Sequence, residues 1–459
     1  MRTNNSPWLT QLHKDRETVS LIKDMQTDTV IIGGGIAGVT TLYFLLKHTD
    51  KRVVLLEGNK LAHGATGHNA GQVVAEFEKP LSEIVREHGI EKTISGVRMV
   101  EDAWGLLRDI WKETTIDVSL NEFVGAGGYC ELEQLIADLE TEHIKHIHGL
   151  ASLPVLVSVE SGWLEQVPEQ YKPLCKNVSH QEILMQLDTI NEDYHAIIQQ
   201  HKGVVNSALF TERLALWCLK QYPDRCFVFE KSFVHGIELE AAQPVVITND
   251  AKVFCENVVL CTNGFENFYI HDKEGFTIDT KFHHFVHGAV GYMTGFVMNH
   301  SEKHMANYYY EKGKKRSNDP FSSDPYFYVT KRNFDQEKGF ARLMTIGGPE
   351  VRLENREIYH HDFEVKEDFQ DASVRFGKEN FDMSGVEHKF FWHGLMGYTT
   401  TGVRVVGVEP LDARLLYNLG CNGVGILPSV MGARKIARHI AGETVPESIF
   451  DPKDHVETL

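Results

Sequence analysis

Apolar and polar positions divide the chain into a strand-helix-strand opening, a mixed middle and a strand-helix close. Residues 1–26 are polar and irregular and read as an N-terminal extension. Thr27 to Ile32 is a short β-rich run, and glycines follow at once. From Ile36 to Lys47 apolar residues recur at helical spacing, with Val39, Leu42, Tyr43 and Leu46 on one side. Arg52 to Glu57 is a second apolar run, as expected of a buried parallel strand. The opening is therefore a β-α-β unit.

Leu81 to Lys112 carries an apolar stripe (Ile84, Ala103, Leu106, Leu107, Ile110, Trp111) that predicts a helix. Val118 to Gly203 is mixed, and Arg213 to Lys220 reads as a short helix. Cys226 to Leu239 and Pro244 to Leu260 alternate as strands do, ending at Cys261-Thr262-Asn263-Gly264. Phe282 to Thr345 is rich in aromatics, Gly and His and predicts antiparallel sheet, with a polar loop at Lys312 to Asp324. Leu415 to Leu419 reads as a strand, followed by glycines and a helix from Pro428 to Ala441. Strand-glycine-helix signals at both ends predict one nucleotide domain assembled from separated segments.

Composition narrows the class. A chain of 459 residues exceeds the roughly 250–300 of a single core, so two domains are expected. A formal net charge of −18 repels phosphate backbones, so no nucleic-acid partner is expected. No run reaches the roughly 18 apolar residues of a spanning helix, and the first residues hold no signal-peptide core. The seven cysteines include no C-x-x-C pair and read as reduced thiols in a cytoplasmic protein.

Gly33-Gly34-Gly35-Ile36-Ala37-Gly38 matches G-x-G-x-x-G. Gly33 permits the tight turn, Gly35 lets backbone approach a pyrophosphate, and Gly38 lets helix pack on strand. The helix starting at Ile36 and Ala37 turns its free N–H groups and positive dipole end toward that pyrophosphate. Glu57 ends the next strand 24 residues after Gly33, placed to accept hydrogen bonds from ribose hydroxyls and to repel a 2′-phosphate. FAD or NAD is thus expected, not NADP. Gly125-Ala126-Gly127-Gly128-Tyr129-Cys130 lacks the third glycine and a following acid, and reads as a structural turn before a helix from Glu131 to Leu139.

Two further segments favour FAD. The run from Gly64 to Gln72, with Thr66, His68, Asn69 and Ala70, suits a loop wrapped on a flat ligand. Gly423, Gly425, Ile426 and Leu427 precede Pro428, giving a second glycine-led helix N-terminus that can stabilise negative charge on a reduced flavin.

With these segments, Val258 to Gly264 and Tyr417 to Gly442, the sequence resembles the FAD-dependent D-amino-acid oxidase superfamily, particularly its glycine oxidase, sarcosine oxidase and γ-glutamylputrescine oxidase branches. The resemblance implies an α/β chain: a Rossmann-like FAD-binding domain with a second, antiparallel-sheet substrate domain. The former would take 27–80, 204–270 and 395–459, the latter 81–203 and 271–394. It implies oxidation of a C–N bond in an amine or amino acid by hydride transfer to flavin N5. Oxygen, a quinone or an electron-transfer protein would reoxidise the flavin. It places Val234 at the adenine and Thr262 near the pyrophosphate. His68 stands where some dehydrogenases carry a histidine bonded covalently to flavin; a loop histidine hydrogen-bonded to the cofactor is the other reading.

The resemblance also assigns Tyr326 and Tyr328 to an aromatic strand above the flavin, with plain sheet packing as the alternative. His287 and Tyr398 are the other candidates for the substrate side; Tyr398 reads equally as a core tyrosine. The Phe282-His283-His284-Phe285-Val286-His287 run, read as a strand, would put His283 and His287 on one face, but nothing completes a ligand set and no metal is expected. The stretch from Trp392 to Tyr398 lacks the arginine with which α-amino-acid oxidases hold the substrate carboxylate. An amine, or a longer amino compound, is favoured, with Arg404 and Lys331 the first candidates should a carboxylate bind. Two other classes stay open: an NAD-dependent dehydrogenase, and a flavin-binding subunit or redox sensor without turnover.

Overall fold

The computed structural model describes residues 4–298, 303–314, 325–336, 339–353, 359–363 and 367–455. It is a mixed α/β structure built on three sheets.

The first sheet has six strands in the order Val405–Val408, Leu415–Leu419, Asn257–Leu260, Thr29–Ile32, Val53–Leu56, Cys226–Phe229. All pair in parallel except Val405–Val408. Thr29–Ile32 and Val53–Leu56 are buried throughout, because this sheet is covered on both faces. One face carries α1 (Ile36–His48) and the helices Ser207–Gln221 and Ile426–Ile440, which share one core with Ile90–Thr114. The other face packs against a five-stranded sheet through Val30, Val54, Val246 and Val253.

The third sheet has ten strands and is mostly antiparallel. Glu387–Thr399 forms one edge and pairs with Val286–Met298. Gly339–Arg352, Tyr326–Gln336, Met305–Tyr310, Leu120–Tyr129 and Ala196–Val205 follow, and Gln72–Val74 pairs with the last of these.

Several local expectations need correction. The helix expected over 81–112 is two helices, Leu81–His88 and Ile90–Thr114, parted at Gly89. Gly125 to Tyr129 is not a turn: it lies in the strand Leu120–Tyr129. Its glycines are seats for neighbours, since a Cβ on Gly128 would stand 2.6 Å from Leu187. The following helix runs over Leu132–Ile147. Thr277–Phe285 is helical, with sheet beginning only at Val286, so His283 and His287 do not share a strand face. The short helix at 213–220 extends over Ser207–Gln221, capped by the Asn206 side chain. The N-terminal extension is docked rather than loose: Trp8 is fully buried. Of the polar loop expected at 312–324, residues 315–324 lie outside the described residues.

The turn between Ile32 and α1 depends on two glycines. Gly33 has φ +108°, a conformation closed to most side chains. Gly38 lies so close to that turn that a Cβ would stand 1.9 Å from the Gly33 carbonyl oxygen. Backbone cannot yield as a side-chain tip can. Gly38→Ala should therefore cost on the order of 3 kcal/mol, read as a lower denaturation midpoint of the apoprotein. An unchanged midpoint would show that the turn accommodates the methyl.

Candidate functional site

The carboxyl ends of the central parallel strands point at the large sheet, and a cavity of about 560 Å³ lies there. Ligands of open parallel sheets bind in this position.

At one end Gly33, Gly35, Ile36 and Ala37 line the cavity. Gly38 lies one turn inside α1 and serves its packing instead. The Thr66 hydroxyl accepts the Ile36 N–H at 2.9 Å, so the 64–72 loop caps the helix from outside. The next N–H groups of α1 have no acceptor within the helix. Glu57 accepts the Gly34 N–H at 2.7 Å through Oε2 and the Asn59 N–H at 2.8 Å through Oε1. Each oxygen keeps further lone-pair capacity. Burial pushes this carboxyl above the usual range, and the N–H groups of Asn59 and Gly34 pull it back. Val234 lines the same end, as does Thr262, whose buried hydroxyl has no partner among the described residues.

The same cavity is lined by Thr66, His68, Asn69, Ala70 and Gln72, with Gly423, Gly425 and Ile426 from the second glycine segment. Leu427, expected beside them, is buried in the core of its helix. Burial pushes His68 down to about 4, so its ring is neutral. Its Nδ1 lies 2.9 Å from the Gly64 carbonyl oxygen, which requires the proton on Nδ1 and leaves Nε2 as the unprotonated atom. Gln72 donates through Nε2 to Val329 and Thr330, while its Oε1 is buried with no partner among the described residues.

The residues fit a dinucleotide. A helix end supplies N–H donors, the Glu57 carboxylate lines the wall beside it, and Thr262 and Gln72, each with a buried polar atom that has no partner among the described residues, line a cavity large enough for a cofactor.

The substrate-side candidates divide. Tyr328 lines the cavity, as does Tyr326. Tyr398 stands one layer back, its hydroxyl donating to Glu350 at 3.1 Å and Glu78 at 3.3 Å, both of which line the cavity. His287, paired with Tyr398 across adjacent strands, does not line it. Arg404 does, but its guanidinium donates to Asn418 Oδ1 at 2.9 Å and to the Asn418 carbonyl at 3.0 Å. Lys331 is elsewhere, 2.7 Å from Asp188. His283 pairs with Glu266 and Asp279. Among the described residues one cluster has the makings of a metal site, Glu238, Glu240 and His271; it is empty, and none of the three lines the cavity.

Sequence reasoning missed Glu78, Glu350 and Lys202, because none belongs to a motif. Lys202 is fully buried, its ammonium has no hydrogen-bond partner among the described residues, and it lies 3.4 Å from the ring centroid of Tyr308, which lines the cavity.

The family described as DAO, FAD dependent oxidoreductase, matches residues 28–439. The chain belongs to that family and is an FAD-dependent oxidoreductase. Among curated proteins it is 24% identical over 270 residues to a putative Rieske 2Fe-2S iron-sulfur protein of Bacillus subtilis (strain 168), covering 52% of this chain and 53% of that one. It is 26% identical over 98 residues to gamma-glutamylputrescine oxidoreductase of Escherichia coli (strain K12), covering 21% and 23%. The match thus spans about half or less of these curated relatives. Glycine oxidase from Geobacillus kaustophilus shares the fold with TM-score 0.67 at 16% identity, over 93% of this chain and 98% of that one. L-proline dehydrogenase from P. horikoshii does so with TM-score 0.65 at 16% identity, over 94% and 97%. No helix among the described residues is long and apolar enough to cross a membrane.

Two predictions follow from this geometry. Glu57→Lys removes a charged hydrogen-bond acceptor and should weaken FAD binding roughly 10- to 150-fold in titrations of the apoprotein; an unchanged dissociation constant would remove Glu57 from the ribose. Burial pushes Lys202 down from 10.5 to about 8, with Glu76 opposing and Lys145 assisting. The folded state then binds fewer protons than the unfolded one as pH falls through 10.5, and the penalty is complete below about 8. Lys202→Met should therefore stabilise the protein at pH 7 by about 3 kcal/mol, with the gain fading as pH rises toward 10.5. A pH-independent effect in denaturation curves would refute this.

Proposed function

We propose that the chain oxidises the C–N bond of an amine, or of an amino compound whose carboxylate is not on the reacting carbon. Bound in the cavity, FAD supplies the hydride acceptor at N5. The observation that carries the substrate reading is the pair of carboxylates, Glu78 and Glu350, bridged by the Tyr398 hydroxyl at the cavity wall. A buried carboxylate ligand needs a cation beside it. Arg404 directs its guanidinium at Asn418, whereas Glu78 and Glu350 suit an ammonium.

The chemistry sets what the residues must do. A carbon gives up hydride only when its nitrogen has a lone pair, so a bound ammonium must first lose a proton. The Glu78 and Glu350 carboxylates draw the cation in and offer acceptors for that proton, and the Tyr398 hydroxyl holds the two together. Tyr328, Met293 and Met396 make the apolar wall that orients the chain and excludes water. His68 either hydrogen-bonds the cofactor or bonds it covalently; its unprotonated Nε2 suits both. In this reading 27–80, 204–270 and 395–459 form the FAD-binding part, and 81–203 and 271–394 the substrate part. The seven free thiols support a cytoplasmic setting. Oxygen, a quinone or an electron-transfer protein takes the electrons.

Anaerobic mixing with a panel of amines and amino acids tests the reading through loss of the flavin absorbance. Secondary amines, or amines with a distant polar group, should bleach the flavin faster than small α-amino acids, and the rate should rise with pH. Rapid bleaching by a small α-amino acid would overturn it. Glu350→Gln should raise KM for a reactive amine at least about tenfold, the worth of a hydrogen bond to a charged group, without altering FAD affinity. An unaltered KM would place Glu350 outside substrate recognition.

A further inference from the structure

The family match begins at residue 28, yet the chain before it is threaded along the back of the cofactor cavity. Its first part meets the 64–72 loop. The Ser6 hydroxyl donates to the Gly67 carbonyl at 2.5 Å, and the Trp8 indole N–H donates to the Asn69 carbonyl at 2.5 Å. The Trp8 ring closes on Gly71 so tightly that a Cβ there would stand 2.6 Å from it, and Leu9 stands equally close behind Gly67. The indole is in turn held from behind. Arg332 lies 4.3 Å over its ring, and Asn206 donates to its carbonyl at 3.2 Å.

The second part reaches the segment that backs the Glu57 turn. Arg16 bonds Glu230 through both terminal nitrogens, at 2.5 and 2.6 Å, and Glu212 through Nε at 2.7 Å. Both acids are nearly fully buried, so this is a desolvated, bidentate pairing and not a surface contact. Glu230 also accepts the Leu61 N–H at 2.7 Å, on the turn that leads into the 64–72 loop. Leu21 donates its N–H to the Ser232 hydroxyl at 2.9 Å, and Ser232 donates its own N–H to the Glu57 carbonyl at 2.9 Å.

We propose that residues 4–21 are a built-in part of the FAD site: a strap that holds the 64–72 loop and the Glu57 turn in the conformation FAD needs, with Trp8 and Arg16 as its positioning residues. Neither touches the cofactor cavity; each acts through loops whose other face lines it. A loop of small and polar residues such as Gly64 to Gln72 has no core of its own, so without the strap it must pay its ordering entropy on binding. Preordering by the strap then appears as cofactor affinity. The inference rests on FAD occupancy alone and is independent of which amine is oxidised.

The test is a titration of the apoprotein with FAD, alongside melting of apo- and holoprotein, for wild type, Trp8→Phe, Trp8→Ala and Arg16→Gln. Trp8→Ala and Arg16→Gln should weaken FAD at least tenfold. Trp8→Phe keeps the ring and loses only the N–H, and should weaken it by a smaller factor above two. Holoprotein Tm should fall further than apoprotein Tm in each case. Should the Ala or Gln variant fail to fold, Trp8→Phe decides the matter. Affinities within twofold of wild type, or equal falls in the two melting temperatures, would reduce the strap to a fold-stabilising element and overturn the proposal.

Discussion

Two phosphates must give up most of their water to lie against a protein, and they do so only where fixed dipoles replace it. The N-terminal end of α1 offers such dipoles here. Its N–H groups can reach an anion because the turn before it brings backbone, not side chain, to the surface. That turn holds Gly33 at φ +108° and leaves no room for a methyl on Gly38. Much else is arranged around this point. Glu57 binds the Gly34 N–H, Thr66 caps Ile36 from the neighbouring loop, and that loop is held by residues before the first strand. The cofactor position fixes where a substrate can lie, and so which side chains of the large sheet matter.

The site also holds charge in places where folding alone would not put it. Lys202 is buried with no hydrogen-bond partner among the described residues, against a tyrosine of the cavity. Glu57 lies in the cavity wall, its carboxyl pushed up by burial. Glu78 and Glu350 meet at one phenol hydroxyl. A buried charge lowers stability unless another group offsets it.

What was legible in the sequence was local and periodic. The β-α-β opening, Glu57 and the last helix carry their signals within a few residues, because a glycine turn and a helix face are short-range facts. The large sheet was legible only in outline. Gly125 to Tyr129 looked like a turn because glycine is read as a breaker, whereas here it makes room for Leu187 and Tyr194. The sheet expected from Phe282 onward begins only at Val286, because Ile278, Phe282 and Phe285 sit at helical spacing and are buried together in the helix Thr277–Phe285. Glu78, Glu350 and Tyr398 come from separate segments and meet only through folding, so no spacing announces them. Trp8 lies inside a polar stretch, and one apolar residue sets no period.

The central claim is that a C–N bond is oxidised at this FAD. A single anaerobic turnover tests it most directly: holoprotein is mixed with one reactive amine, quenched in acid, and assayed for carbonyl product against flavin reduced. The account predicts one carbonyl, and one released nitrogen fragment, for each FAD reduced. Flavin reduction without a carbonyl product, or a protein that retains no flavin when supplied with FAD, would contradict it.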